Sequence, residues 1–242
     1  MVIAMSLYGD GHRYTMGAIR NAQLLPVIFP GWRLWFYVEK PNPGGTSKYG
    51  LVPREILSKL EDLGAEIIGI DPVALGLAPM LWRFTVMDNE TVDVFTVRDC
   101  DSRLTPRDAA VIADWLKTDR MFHCIRDHPS HSNYALSGGL WGARRKPLET
   151  LVGSLRTVMQ RYGAGYVEDM HFLGQVVWPK VKDVAYCHDS FSCDRFPSSH
   201  PFPVVRIGFE HLGQVYDEHS KGRQGDMNIL RNSAVNKACV PA

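Results

Sequence analysis

The sequence predicts an α/β domain, a central and mostly parallel mixed sheet with helices on both faces. Three observations predict it. Strand-like and helix-like segments alternate along most of the chain. Several short apolar runs end in polar turns that carry acids, as at Val97-Arg98-Asp99. No internal repeat or shift in composition divides the 242 residues, a length that suits one large domain.

Residues 2–8 (V-I-A-M-S-L-Y) read as a buried first strand, too short for a membrane span and without a charged leader. A helix over 14–25 follows, with Ala18, Ala22 and Leu25 on one face, and then an aromatic and aliphatic strand over 33–39. Residues 41–50 are rich in Pro, Gly and Ser and form a loop. Pro53 opens the next helix and Gly64 closes it, with Ile56, Leu57, Leu60 and Leu63 as its stripe. Strands are expected at 65–71, 93–97, 122–126 and 183–187. Thr105 can cap a helix that has Pro106 at its first position and Asp108 in its first turn. Residues 148–162 carry the longest helical periodicity. From about 191 the chain reads as a loop-rich tail.

Lys plus Arg number 27 against 26 Asp plus Glu, so the net charge of +1 leaves no electrostatic footprint for nucleic acid. The five cysteines are an odd number, scattered and without a C-x-x-C pair. That spacing indicates neither a disulfide framework nor a zinc knuckle, and points to a reducing, cytoplasmic compartment. With no transmembrane segment in the sequence, a soluble protein is expected.

Asp99-Cys100-Asp101 is the strongest chemical signal. It follows a buried strand, at the edge where open α/β sheets bind ligands. Carboxylates at i and i+2 of an extended backbone share a side and repel unless a hard cation lies between them. Mn²⁺ or Mg²⁺ there would also take diphosphate oxygens. The alternative is a solvated turn whose acids pair with Arg98 and Arg103. A second cluster runs from Arg126 to His131, in which Arg126 could bind phosphate and Asp127 could accept from sugar hydroxyls. An Arg–Asp pair supporting a turn explains it equally, and an H-x-x-H zinc site lacks companions. In Gly138-Gly139-Leu140-Trp141-Gly142 the glycines allow close backbone approach, and the Trp can stack on a sugar or fill the core. Glu168 and Asp169 can cap a helix or present a carboxylate to a reacting carbon. His188 follows the last strand and is a candidate third metal ligand, although a lone His is more often structural.

Taken together, Arg98-Asp99-x-Asp101-Ser102-Arg103, Arg126-Asp127-His128-Pro129 and Gly138-Gly139-x-Trp141-Gly142 resemble a family of GT-A-type glycosyltransferases. The family includes the amino-terminal domain of a chlorovirus capsid-glycan protein. Ser6-Leu7-Tyr8-Gly9, Tyr14, Gly17-Ala18, Asn21-Ala22, Pro30-Gly31-Trp32, Trp82-Arg83-Phe84, Phe172-Leu173 and Trp178-Pro179 agree with it, over roughly residues 4–190. The resemblance implies one Rossmann-like GT-A domain, a UDP-sugar or similar donor, a glycan or other hydroxyl acceptor, and Mn²⁺ or Mg²⁺. By it Asp99, Asp101 and His188 hold the metal, and Ser6, Leu7, Tyr8 and Tyr14 meet base and ribose. Arg83, Arg98 and Arg126 lie near the donor, Gly138, Gly139 and Trp141 line the sugar pocket, and Asp127 and Asp169 serve the chemistry. Where many relatives carry Asp-Gln, this chain has Asp169-Met170. The competing readings are a sugar nucleotidylyltransferase, for which the loop 8–13 is poor in glycine, a nucleotide- or carbohydrate-binding module without turnover, and a metal-dependent hydrolase using His128, His131 and His188.

Overall fold

The computed structural model describes all residues except 43, 45, 197, 198, 236–238 and 240–242. Eight strands form one sheet: β1 (Val2–Ser6), β2 (Arg33–Glu39), β3 (Glu66–Ile70), β4 (Val94–Val97), β5 (Phe122–Arg126), β6 (Trp141–Arg144), β7 (Ala185–Asp189) and β8 (Ser199–His200). Their order is β3-β2-β1-β4-β6-β5-β7-β8. β6 is antiparallel to both β4 and β5, and every other pairing is parallel. This is the single α/β domain with a mostly parallel, mixed sheet that the alternation predicts.

Side-chain alternation sorts the core into two layers, one on each face. Val2, Ala4, Trp35 and Tyr37 join the cluster around Trp82, Phe84 and Trp141. Ile3, Met5, Leu34 and Phe36 join the other, with Ala18, Ala22, Leu60 and Trp115 from the helices. Thr105 caps the helix Pro106–Leu116 through its side chain, as expected, and Asp108, Val111, Ile112 and Trp115 form its buried face. The long helix expected over 148–162 is interrupted. Gly153 adopts φ +68 and separates Arg145–Val152 from Arg156–Met159. No helix among the described residues is long and apolar enough to cross a membrane.

The cysteine expectation is overturned. Cys124 and Cys187 are register partners on β5 and β7 and form a disulfide, and Cys193 bonds Cys239. Only Cys100 is free among the described residues. The spacing argument for a reducing compartment therefore loses its basis.

Next to that first disulfide, His123 on β5 contacts His188 on β7 at 2.9 Å. His188 in turn lies 3.4 Å from Asp114, which also accepts from the Tyr186 hydroxyl. Burial is the main reason the His188 pKa falls from 6.5 to about 4, against the pull of Asp114, and burial followed by His188 also lowers that of His123. Unfolding returns both imidazoles to ordinary water. For His188, between about pH 6.5 and 4 the unfolded chain therefore binds a proton that the native one refuses, and stability falls as pH drops, by up to about 1.4 kcal/mol per unit, with His123 acting in the same direction. Urea midpoints at pH 7.5 and 5.0 check this. A midpoint that rises on acidification contradicts the neutral, buried imidazoles.

Candidate active site

The sheet order reverses at β1, with β2 on one side and β4 on the other, so the chain leaves the two neighbours' carboxyl ends around a crevice. A cleft of about 760 Å³ lies there. Asp99 and Asp101 sit in its wall, on a tight turn after β4 rather than on extended backbone. The Asp99 carbonyl accepts from the Ser102 amide at 3.2 Å and from its hydroxyl at 2.8 Å. The helix His12–Ile28 secures this turn from behind. Asn21, fully buried, donates to the carbonyls of Cys100 and Ser102 and accepts from the Leu104 amide. Gly17 lets the helix come close, since a Cβ there would strike the Cys100 carbonyl.

Arg83 is the centre of the cleft floor. Its guanidinium binds the carboxylates of both Asp99 and Asp169, the latter at 3.1 Å, and its amide donates to the Ser6 hydroxyl. Gly138 and Gly139 complete the arrangement. A Cβ on the first would collide with the Asp169 carboxylate, and one on the second with that of Asp99. Asp169 belongs to a helical run that starts at Glu168 and passes through a π turn at Leu173–Val177.

Tyr8, Tyr14 and Tyr49 form an aromatic wall beyond β1. Tyr8 and Tyr49 both pack edge-on against Trp82, with ring centroids 6.0 and 5.8 Å away. Tyr49 comes from the loop over 41–50, which buried Glu39 holds by accepting from the Ser47 hydroxyl and from the amides of Lys48 and Tyr49. The carboxy-terminal segment closes the other side. The Tyr216 amide donates to the Asp101 carbonyl at 2.8 Å, and His211, Gly213, Val215, Arg223 and Asp226 reach the cleft. The sequence does not single these residues out, because the tail has no periodicity to place them.

Not every residue singled out in the sequence comes here. Ser6, Tyr8, Tyr14, Arg83, Asp99, Asp101, Gly138, Gly139 and Asp169 line the cleft. Leu7 is buried in the core, its amide bound to the Tyr37 carbonyl. Arg98 pairs with Asp108 through two hydrogen bonds of 2.6 and 2.9 Å, because the neighbour of an inward acid points to the opposite side. Arg126 pairs with Asp189 and packs against Phe196. Trp141 fills the core between Phe84, Phe95 and Phe122. His188 is spent on the His123–Asp114 chain, away from Asp99 and Asp101.

Asp127 is fully buried and held by Arg107, Arg206, the Ser190 hydroxyl and the Leu212 amide. It fastens the tail to β5 and does not line the cleft. Asp127→Asn should therefore cost about 3 kcal/mol or more of stability, because two arginines lose their counter-charge. A variant whose urea midpoint matches the wild type would contradict this role.

The cleft's electrostatics are those of crowded acids under partial control. Burial, and then the charge of Asp99, push the Asp101 carboxyl up to about 6, although Arg13 lies 3.4 Å away. Burial also raises Asp169, against the opposing effect of Arg83. His131 is pushed down to about 4, by burial first and His128 second. His211 has a buried Nδ1 with no hydrogen-bond partner among the described residues. Asp189, Cys193 and Cys239 are the only described His/Cys/Asp/Glu group with ligand atoms all within 4.8 Å of one another, and its sulfurs are joined in a disulfide.

Among solved structures, the chain is similar to the galactosyltransferase LgtC in complex with donor and acceptor sugar analogues, at 11% identity over 78% of this chain and 73% of that one, with a TM-score of 0.47. It is also similar to glucosyl-3-phosphoglycerate synthase of Mycobacterium tuberculosis in complex with Mn²⁺, UDP-glucose and phosphoglyceric acid, at 10% identity over 77% and 68%, with a TM-score of 0.49. No family model and no curated protein matches the chain.

Proposed function

We propose that the protein is a GT-A-type glycosyltransferase, which uses a divalent cation to bind a nucleotide-sugar, UDP-linked in the first instance, and transfers the sugar to a hydroxyl of a glycan. One observation carries this reading. Three carboxylates, Asp99, Asp101 and Asp169, open into a single cleft at the sheet's switch point, next to a tyrosine wall and within reach of Arg13 and Arg223.

The donor set fits a hard cation. Asp99 and Asp101 supply carboxylate oxygens in a crowded, partly desolvated place, where burial and then the charge of Asp99 raise the Asp101 carboxyl. His211 also lines the cleft, but Asp99, Asp101 and His211 do not form a group with ligand atoms all within 4.8 Å of one another. When bound, such a cation stabilises the charge that develops on a departing nucleoside diphosphate. The protein's own groups do the rest. Tyr8, Tyr14 and Tyr49 offer ring faces and hydroxyls to base and ribose. Arg13, beside Asp101, and Arg223 supply guanidinium donors for phosphate oxygens. Gly138 and Gly139 make room for the Asp169 and Asp99 carboxylates at the cleft wall, and Asp169, oriented by Arg83, can accept a proton from the attacking hydroxyl in an inverting route.

Thermal shift with UDP-, GDP- and dTDP-sugars, with and without Mn²⁺, tests the reading. At a hundredfold excess over Kd one donor should add about 2.7 kcal/mol, a shift of several degrees, only when Mn²⁺ is present. If no nucleotide-sugar moves the midpoint under either condition, the reading fails.

A further inference from the structure

Within the cleft, charge and neutrality are divided between chain segments. The lining arginines, Arg13, Arg83 and Arg223, each stand beside an acid of the cleft: Asp101 for Arg13, Asp99 and Asp169 for Arg83, and Asp226 for Arg223. The lining contributed by residues 130–140 and 166–170 contains no Lys or Arg at all. Its one anion is Asp169, and His131 there accepts the Asp127 amide through Nδ1. Asn133, Tyr134 and Tyr166 give no side-chain hydrogen bond to any described residue.

Tyr166 is the unusual member. It is 91% exposed, although it lines the cleft, and no ring in the described structure packs against it. The next residue, Val167, holds φ +67, a left-handed conformation that a β-branched side chain rarely adopts. This turn leaves the Tyr166 ring outside while Asp169, three residues on, is buried against Arg83. Backbone strain that sets an aromatic ring in water beside a buried carboxylate suits a ligand that covers the ring and hydrogen-bonds to the acid.

We infer that this half of the cleft is the acceptor site, and that it takes a neutral saccharide whose apolar ring face stacks on Tyr166. The inference rests on the glycosyltransferase reading for the word acceptor, but the saccharide site is argued from these residues alone. A pyranose has a face of C–H groups for the tyrosine and a rim of hydroxyls for Asn133, Tyr134 and Asp169. A phosphorylated or carboxylated acceptor would meet Asp169 with no free cation on the surrounding segments, and like charges repel there. Met170 adds an apolar, uncharged group to the same wall.

Saturation-transfer NMR tests this on the full chain with Mn²⁺ and UDP present, against a panel of free neutral hexoses, pentoses, deoxyhexoses and their disaccharides, with glucose 6-phosphate and 3-phosphoglycerate as the anionic arm. At least one neutral saccharide should bind, with saturation strongest on the protons of one ring face. Tyr166→Ala should weaken it about tenfold, and Tyr166→Phe should keep it within about threefold. UDP affinity by calorimetry should stay within about twofold in both variants. Because Tyr166 is exposed, both should melt at the wild-type temperature. Equal saccharide binding by Tyr166→Ala, or binding of the anionic compounds alone, overturns the inference. If UDP binds with Mn²⁺ and no neutral saccharide does, the inference falls while the donor reading stands. If a saccharide binds through Tyr166 and no nucleotide or nucleotide-sugar binds, the donor reading falls while the saccharide site stands.

Discussion

Asp101→Ala should lower kcat/KM for sugar transfer by about a thousandfold or more and remove Mn²⁺-dependent nucleotide binding, while the protein stays folded. The structural reason for the last clause is the direction of its titration. The native carboxyl is pushed up to about 6, from an ordinary 3.8, by burial and by Asp99. A folded pKa above the unfolded one means that the ionised group opposes folding once the pH exceeds that range. Removing it at pH 7.5 relieves this repulsion. The substitution also breaks the ion pair with Arg13, whose guanidinium is partly exposed, so that pair contributes little. The variant should melt at or slightly above the wild-type temperature. Kinetics beside a melting curve checks both parts, and retention of transfer activity would remove Asp101 from the site.

Arg83→Met should be damaging in the opposite way, losing fold stability and activity together. Arg83 is almost fully buried and is the bound cation of both Asp99 and Asp169. Without it the buried Asp169 carboxylate has no counter-charge, at a cost of about 3 kcal/mol. The Asp99 side chain is 41% exposed, so its part of the loss is screened and smaller. Arg83→Lys should recover only part, because one ammonium cannot reach two carboxylates with the geometry of a guanidinium. A double-mutant cycle with Asp169→Asn isolates the pair, since the cost of Arg83→Met should shrink once the acid is neutral. An Arg83→Met protein as stable as the wild type would contradict the central bridging role.

The parts legible in the sequence are those written locally. β2 and β5 have the expected bounds, because both are short, buried apolar runs between clear breaks. The Thr105-Pro106 start of a helix is readable from capping chemistry alone. The paired acids, the paired glycines and Asp169 stand out by residue type, and the cleft gathers them. What is not legible depends on contacts across the sheet or on side-chain direction. β6 has only four residues and no distinguishing period, so its antiparallel insertion between β4 and β5 leaves no trace in the sequence. Cys124 and Cys187 are 63 residues apart, and they meet because β5 and β7 pair in that register. Arg98 and His188 are near the site along the chain, but each turns away from it to a buried acid or imidazole. His211 comes from a tail without pattern, and it is the bonds of Leu212 to Asp127 and of Tyr216 to Asp101 that bring it to the cleft.

The most direct measurement is the anomalous difference density of a crystal grown with Mn²⁺ and UDP. The account predicts one strong peak within coordination distance of the Asp99 and Asp101 carboxylates and the diphosphate, with Arg13 released from Asp101. A peak held elsewhere, or UDP bound in the cleft with both acids still on their arginines and no ion between them, would contradict it.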